Sequence, residues 1–294
     1  MFDRRASLQF GFAGLVAGFL PELARANDDT GVFWNVEANG ARGVLFGYQH
    51  VAATAAPEIL ADGERLLKNV NTVYVDHADI QKTVTVPNKE LKPLLPSLQS
   101  DLAQQVQAIV LSLGVPQDQV GTAPAFLVLM ALIGEGAPPT KVTLAGTLFE
   151  QAKAAGKLAS ALMNTAETQQ FFDILGPGAN VTELMLSDDT VKALLAIRQE
   201  VGPIGAHCVA LYRARKIREL HEFSRRLEQQ GIPPLIWRNP DAAARMYLDI
   251  IAPRILTKLA AGPTLFFVKE GTFLIDHGLL ARLREQGAAL TALA

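Results

Sequence analysis

The dipeptide Asn39-Gly40 separates two apolar runs near the start of the chain, in the stretch VFWNVEANGARGVLFGYQH. Asn-Gly favours a two-residue turn between antiparallel strands, because both residues adopt positive φ angles at little energetic cost. The sequence therefore predicts a β-hairpin whose second strand covers 43–46 and runs directly into Gly47. His50 follows three residues later, at the end of this strand.

Strands and helices alternate after the hairpin. Apolar residues at helical spacing predict a helix over 57–70, which Pro57 and Glu58 open. The β-branched and aromatic run 72–79, TVYVDHAD, predicts a strand that ends in acids and a histidine. This order of strand, helix and strand is typical of α/β proteins, in which the strand ends face one crevice.

The closing segment repeats the pattern of the opening one. We predict a strand over 264–268, a short helix over 278–285 that stops at Gly287, and a last strand over 288–293. Strands from the two ends are expected to share one sheet.

The middle of the chain is rich in helix formers. We predict helices broken near Gly202-Pro203 and over 231–234, with one short strand over 157–163. The expected fold class is therefore α/β (α+β): a mixed central sheet built from N- and C-terminal segments, with a largely helical inserted middle region. That region, roughly 93–260, is expected to form a cap.

Residues 1–26 have the pattern of a signal peptide. Arg4 and Arg5 precede an apolar run over 10–20, and Ala24-Arg25-Ala26 is a small-x-small cleavage site. The alternative, a membrane anchor, is disfavoured because spanning a bilayer takes about 20 apolar residues. The paired arginines resemble a twin-arginine export signal, with serine where an aromatic often stands. We expect a periplasmic or secreted mature chain, 27–294, forming a single domain without a membrane span.

Composition narrows the classes of function. The 294-residue chain is 49% hydrophobic and 19% charged with a formal charge of −2, so it can form a full core and has no electrostatic case for binding nucleic acid. Cys208 is the one cysteine, which excludes an internal disulfide. The nucleophile elbow, the phosphate-binding loop, H-E-x-x-H and a complete dinucleotide fingerprint are all absent from the sequence.

The order of these segments resembles the TraB/GumN family, relatives of the Tiki proteases and, more remotely, of the erythromycin-esterase and ChaN-like proteins. The similarity covers nearly the whole mature chain. VFWNVEANGARGVLFGYQHV is similar to the family's opening hairpin with its first G-x-x-H motif, here Gly47 to His50. NVNTVYVDHAD is similar to the next strand, and QAKAAGKLASALMNTAETQQFFDIL to the central segment. GPTLFFVKEGTFLIDHGLLARLREQGAAL is similar to the closing segment with the second G-x-x-H motif.

The resemblance implies a divalent-metal hydrolase site, peptidase-like in the Tiki branch. Such a site needs about three protein ligands and an open position for water. His50 fits the first motif, and Asp76 stands where the family usually has glutamate. Asn164 replaces the central glutamate and can accept a hydrogen bond but cannot act as a base. The second motif, begun at Gly271, ends in Leu274, which cannot ligate a metal.

Asp276 and His277 follow this motif and could substitute as ligands if the loop is rearranged. His77 is a further candidate, but on an extended strand it would point away from Asp76. The two side chains can converge only if the strand has already ended.

Two functions follow from the resemblance. The first is an exported, non-catalytic or weakly active protein that binds an envelope ligand or peptide through its crevice or cap. The alternative is an active metal-dependent hydrolase that uses His50 and Asp76, as ligands or as ligand and base, helped by Asp276 or His277. Haem carriage through a residue such as Tyr48, by analogy with ChaN-like proteins, is a third reading.

Overall fold

The computed structural model describes residues 31–77, 93–137, 142–175, 186–230, 240–274 and 277–293. The predicted signal peptide, the predicted helix break over 231–234, and Asp276 lie outside these residues. In the part of the chain that is described, no helix combines the length and the apolar character needed to cross a membrane.

One mixed sheet of six strands forms the centre of the described fold, in the order β4-β3-β5-β2-β1-β6. The strands are β1 (Phe33–Ala38), β2 (Ala41–Tyr48), β3 (Thr72–Val75), β4 (Leu158–Ala161), β5 (Thr264–Lys269) and β6 (Ala289–Ala292). The hairpin β1–β2 turns at Asn39 and Gly40, whose φ angles are 52° and 74°. Positive φ at both positions is the geometry that Asn-Gly favours, and the predicted hairpin is confirmed.

The two ends of the chain share this sheet, as predicted. β2 pairs in parallel with β5, and β1 pairs antiparallel with β6. β3 and β4 complete a parallel half, because β3 pairs in parallel with both β5 and β4. The α/β fold class with a mixed central sheet is therefore confirmed, and the predicted strand of the middle region, β4, forms one edge of it.

Helices cover both faces of the sheet. They are α1 (Pro57–Lys68), α2 (Ser100–Ser112), α3 (Gln117–Val120), α4 (Ala125–Gly134), α5 (Leu144–Ala154), α6 (Thr165–Leu175), α7 (Asp188–Val201), α8 (Ile204–Arg213), α9 (Ile217–Gln229), α10 (Pro240–Leu259) and α11 (Leu279–Glu285). Side chains of α1, α2, α4, α5, α7, α8 and α9 pack on one face around Phe46 and Phe267. Side chains of α6, α10 and α11 pack on the other around Leu45 and Phe266.

Alternation along the strands explains the two layers. Successive residues of a strand point to opposite faces, so Phe266 joins one core cluster and Phe267 the other. Because both faces are covered, the central strands are apolar throughout and lack the alternation of a half-exposed sheet. In β5, the polar residues Thr264 and Lys269 stand at the two ends of the strand.

Glycines mark two predicted boundaries. Gly202, with φ of 79°, ends α7, and Gly287, with φ of 89°, ends α11. A third break lies between α8 and α9, where Arg215 adopts φ of 61° without being glycine or asparagine. The sequence did not predict that break, because arginine is a good helix former and carries no turn signal.

Candidate functional site

Three neighbouring parallel strands end at the same edge of the sheet. β2 ends at Tyr48, β3 at Val75 and β5 at Lys269, and β5 lies between the other two. Because parallel strands place their C-terminal ends together, the residues at and after these ends form one group. We call this group, with one residue from α10, the polar edge. It comprises Tyr48, Gln49, His50, Asp76, His77, Tyr247, Lys269 and Glu270.

Asp76 lies at the centre of the polar edge and is fully buried. The Tyr48 hydroxyl lies 2.9 Å from each of its carboxylate oxygens, and the Tyr247 hydroxyl donates to Oδ2 at 3.0 Å. The backbone N–H of His77 donates to Oδ1 at 2.9 Å. A buried carboxylate is tolerated when donors replace its water shell, and these three donors do so.

This arrangement changes the pKa values of Tyr48 and Tyr247. Burial raises the pKa of both Tyr48 and Tyr247, and the neighbouring Asp76 charge raises each further because a phenolate would face a carboxylate. Both tyrosines therefore remain protonated donors at neutral pH. The hydroxyl of Tyr247 also accepts from the backbone N–H of Lys269 at 3.1 Å, so one phenol joins α10, β3 and β5.

His50 and Lys269 form the more accessible part of the polar edge. Lys269 Nζ lies 3.3 Å from His50 Nε2, and both side chains are partly buried. The ammonium sits 5.3 Å from the ring centre of Tyr48, against which His50 packs edge-on. Burial lowers the pKa of His50, and the charges of Lys269 and His77 lower it further. His50 is therefore neutral at pH 7, with Nε2 in reach of the lysine.

Glu270 is buried beside this pair. Its Oε1 accepts from Gln49 Nε2 at 2.7 Å. Burial raises the pKa of Glu270 to about 7, although the Gln49 hydrogen bond and the Lys269 charge oppose the shift. The carboxyl group is thus partly protonated at neutral pH. A pKa near the working pH is typical of groups that act as general acids or bases.

The position of Gly47, at the end of β2, leaves no room for a side chain. A Cβ at Gly47 would lie 2.7 Å from Cε2 of Phe273 and 3.1 Å from Cβ of Glu270. The backbone carbonyl of Gly47 also accepts from the Tyr212 hydroxyl at 3.0 Å. The glycine of the first G-x-x-H motif therefore permits close packing of β2 against the segment after β5.

His77 belongs to the polar edge because β3 ends before it. On a continuing strand its side chain would point away from that of Asp76, but β3 ends at Val75 and His77 Nε2 lies 3.7 Å from Asp76 Oδ1. The imidazole is buried and packs edge-on against Phe172. Of the two geometries that the sequence allowed, the structure has the convergent one.

The other predicted site residues lie elsewhere. Asn164 is exposed and caps α6: its Oδ1 accepts from the Glu167 N–H at 2.9 Å, and Glu167 Oε2 accepts from the Asn164 N–H at 2.9 Å. His277 is exposed, with Nδ1 3.8 Å from Glu285 Oε1. The structure gives neither residue a contact with Asp76 or His50 among the described residues.

The second motif does not repeat the geometry of the first. The strand register places Val268, not Gly271, opposite Gly47. Gly271 lies in the 3₁₀ turn Glu270–Thr272, and Leu274 packs against both apolar cores. Sequence reasoning missed four residues of the polar edge: Gln49, Tyr247, Glu270 and Lys269, of which Lys269 stands opposite Tyr48.

Metal ligation does not fit these residues. A catalytic metal needs about three ligands with free lone pairs, whereas both oxygens of Asp76 already accept hydrogen bonds and His50 Nε2 faces an ammonium group. No three His, Cys, Asp or Glu side chains in the described part of the chain are grouped to hold a metal ion. Haem ligation by Tyr48 does not fit either, because its hydroxyl is buried and donates to Asp76.

The described residues thus define an α/β protein with a polar cluster at the C-terminal edge of its parallel strands. The chain matches no family model, and no curated protein or solved structure matches it either. Its similarity to the TraB/GumN family therefore stays a prediction from the sequence motifs.

Proposed function

We propose that this chain is an exported, TraB/GumN-like protein of the cell envelope that binds a ligand or peptide at the polar edge without a catalytic metal. It is a non-catalytic member, or one of weak activity, by comparison with the hydrolases that it resembles. The crevice at the C-terminal ends of parallel strands is where open α/β sheets bind ligands.

The observation that carries the proposal is the contact between Lys269 and His50. The Lys269 ammonium lies 3.3 Å from Nε2 of the motif histidine. A divalent cation at this nitrogen would have to displace the lysine and would face its positive charge at short range. The two tyrosine hydroxyls on Asp76 support the same conclusion, because a metal could reach that carboxylate only by displacing them.

One observation favours the alternative of an active metal-dependent hydrolase. The lowered pKa of His50 keeps its imidazole neutral, which is the form that ligates metals. Under this alternative, Lys269 would swing away and His50 and Asp76 would hold the ion, with His77 as the nearest further donor. Metal content separates the two functions directly.

Elemental analysis of the purified exported protein is the test. We expect substoichiometric transition metal in the wild type and in His50→Ala, and no peptide hydrolysis that a chelator abolishes. One equivalent of metal in the wild type that His50→Ala loses would overturn the proposal. Metal that appears only in Lys269→Ala would support it, since the lysine would then be the group that excludes the ion.

A further inference from the structure

Lys269 occupies an unusual place for a lysine. It ends β5, the strand between β2 and β3, so its side chain emerges at the middle of the polar edge. Its Nζ sits 5.3 Å from the ring centre of Tyr48 and 3.3 Å from Nε2 of His50. Lys269 and His50 are the two residues of the polar edge that retain partial exposure.

The surroundings of Lys269 favour the neutral amine more than water does. Burial lowers the pKa of Lys269, and the charges of Asp76 and Glu270 only partly offset this effect. Asp76, the carboxylate whose charge acts most strongly on Lys269, is already held by Tyr48 and Tyr247. A lysine that is partly desolvated, with a neutral imidazole in hydrogen-bond range, has the two features of an activated amine nucleophile.

We propose that Lys269 is the reactive amine of a covalent carbonyl-binding site, which takes an aldehyde or ketone as an imine with His50 as the proton carrier. The inference deepens the proposed function by giving the ligand a chemical class. It rests on that function in one respect, since a metal on His50 would remove the proton carrier.

The reaction balances without an oxidant or reductant. The Lys269 nitrogen attacks the carbonyl carbon, an N–C bond forms, and the carbonyl electron pair moves to oxygen. His50 Nε2 takes a proton from the nitrogen and returns it to that oxygen, giving a carbinolamine. A second proton transfer by the same route releases the hydroxyl group as water, and a C=N bond replaces the C=O bond.

Lys258 provides a matched comparison within the chain. Its Nζ lies 5.5 Å from the ring centre of Tyr74, much as that of Lys269 lies over Tyr48. Lys258 is exposed and lies on α10, where the described structure gives it no histidine contact. Each lysine has an aromatic neighbour, but only Lys269 is partly buried and in contact with His50. Burial and the histidine contact are the two features that the proposal invokes.

The experiment is reductive trapping on the full exported protein. The wild type is treated with limiting acetaldehyde and sodium cyanoborohydride, and alkylation is followed by intact mass and by peptide mapping. We expect Lys269 to be alkylated at least about 10-fold faster than Lys258, because a positioned base commonly contributes 100-fold or more. Lys269→Arg should remove the fast phase, and Lys258→Arg should leave it unchanged.

His50→Gln tests the role of the histidine. This variant keeps a neutral polar group, and its fold is checked by circular dichroism and denaturant unfolding. We expect the rate ratio of Lys269 to Lys258 to fall about 10-fold or more. Equal rates at the two lysines in the wild type, or an unchanged ratio in folded His50→Gln, would overturn the inference.

Metal content is measured on the same samples, so the two proposals fail separately. Metal-bound protein whose Lys269 reacts fast after chelation would contradict the proposed function alone. Metal-free protein whose Lys269 reacts no faster than Lys258 would contradict the carbonyl site alone.

Discussion

The hydroxyl of Tyr247 donates to Oδ2 of Asp76 at 3.0 Å, across 171 residues of chain, and so connects α10 to the end of β3. The hydroxyl oxygen of Tyr247 also accepts from the backbone N–H of Lys269. One side chain from the helical layer thus satisfies a buried carboxylate and a strand-end amide together. The stability of the polar edge should depend on it.

Tyr247→Phe tests that dependence. Removing the hydroxyl leaves Asp76 with one donor fewer and the Lys269 N–H without its acceptor, so we expect a loss of about 2–3 kcal/mol in the free energy of unfolding. Tyr74→Phe is the control, because Tyr74 is also buried but its hydroxyl does not donate to Asp76. Denaturant unfolding measures both variants, and equal losses would contradict a special role for Tyr247.

Glu270 predicts a specific pH dependence of stability. Its folded pKa is about 7 against an unfolded value of 4.5, so the folded state binds the extra proton between these pH values. The contribution of Glu270 to the free energy of unfolding is complete below the unfolded pKa. It is lost as pH rises through the folded pKa, and the total loss is about 3 kcal/mol.

Glu270→Gln isolates this effect, since a neutral isostere cannot deprotonate. The free energy of unfolding of the variant should rise relative to the wild type as pH increases from about 4.5 to about 8. His50, whose pKa is lowered, acts in both proteins and destabilises them as pH falls below its unfolded value of 6.5. The difference between the two unfolding profiles is therefore the readout, and a flat difference would contradict the buried acid.

Gly47→Ala tests the close packing at the end of β2. The new Cβ would overlap Phe273 and crowd Glu270, so we expect a loss of about 1–3 kcal/mol in stability. Gly121→Ala is the matched control, since nothing lies within 4 Å of a Cβ at that position and its φ of −63° suits alanine. Thermal unfolding that shows equal effects would contradict the steric explanation.

Asn164→Ala distinguishes a helix cap from a site residue. Loss of the Asn164 Oδ1 acceptor for the Glu167 N–H should cost about 1 kcal/mol of stability, and Asn164→Asp should restore most of it because aspartate caps equally well. Neither variant should change the alkylation rate of Lys269. A rate change in folded Asn164→Asp would indicate that Asn164 acts at the polar edge.

The strands were predictable from sequence because their signals are local. Asn39-Gly40 predicted the hairpin. Short apolar runs that alternate with segments of helical spacing predicted β3, β5 and β6 to within a few residues. Asn164 also carried a local signal that was available: asparagine three residues before Glu167 is the pattern of a capping box.

The composition of the polar edge was not predictable in the same way. Tyr247 reaches Asp76 only through the packing of α10 on the sheet, and helical periodicity does not reveal which turn of that helix meets a strand end. The motif spacing matched Gly271 to Gly47. In the structure, the pairing of β2 with β5 places Val268 opposite Gly47 and Lys269 opposite Tyr48, and for this reason Lys269 was missed. Register depends on how distant segments pair, which motif spacing alone does not specify.

The position of β5 between β2 and β3 has a consequence for biogenesis. The hairpin and β3 leave the ribosome early, but they have no contact as neighbouring strands until residues 264–269 have been made and inserted between them. Pairing over such sequence distances slows folding, because a long loop must close before the contacts form. The sheet therefore cannot be completed while the chain is still in its first two hundred residues, and Asp76 gains the Tyr247 hydroxyl only after residue 247 has been made.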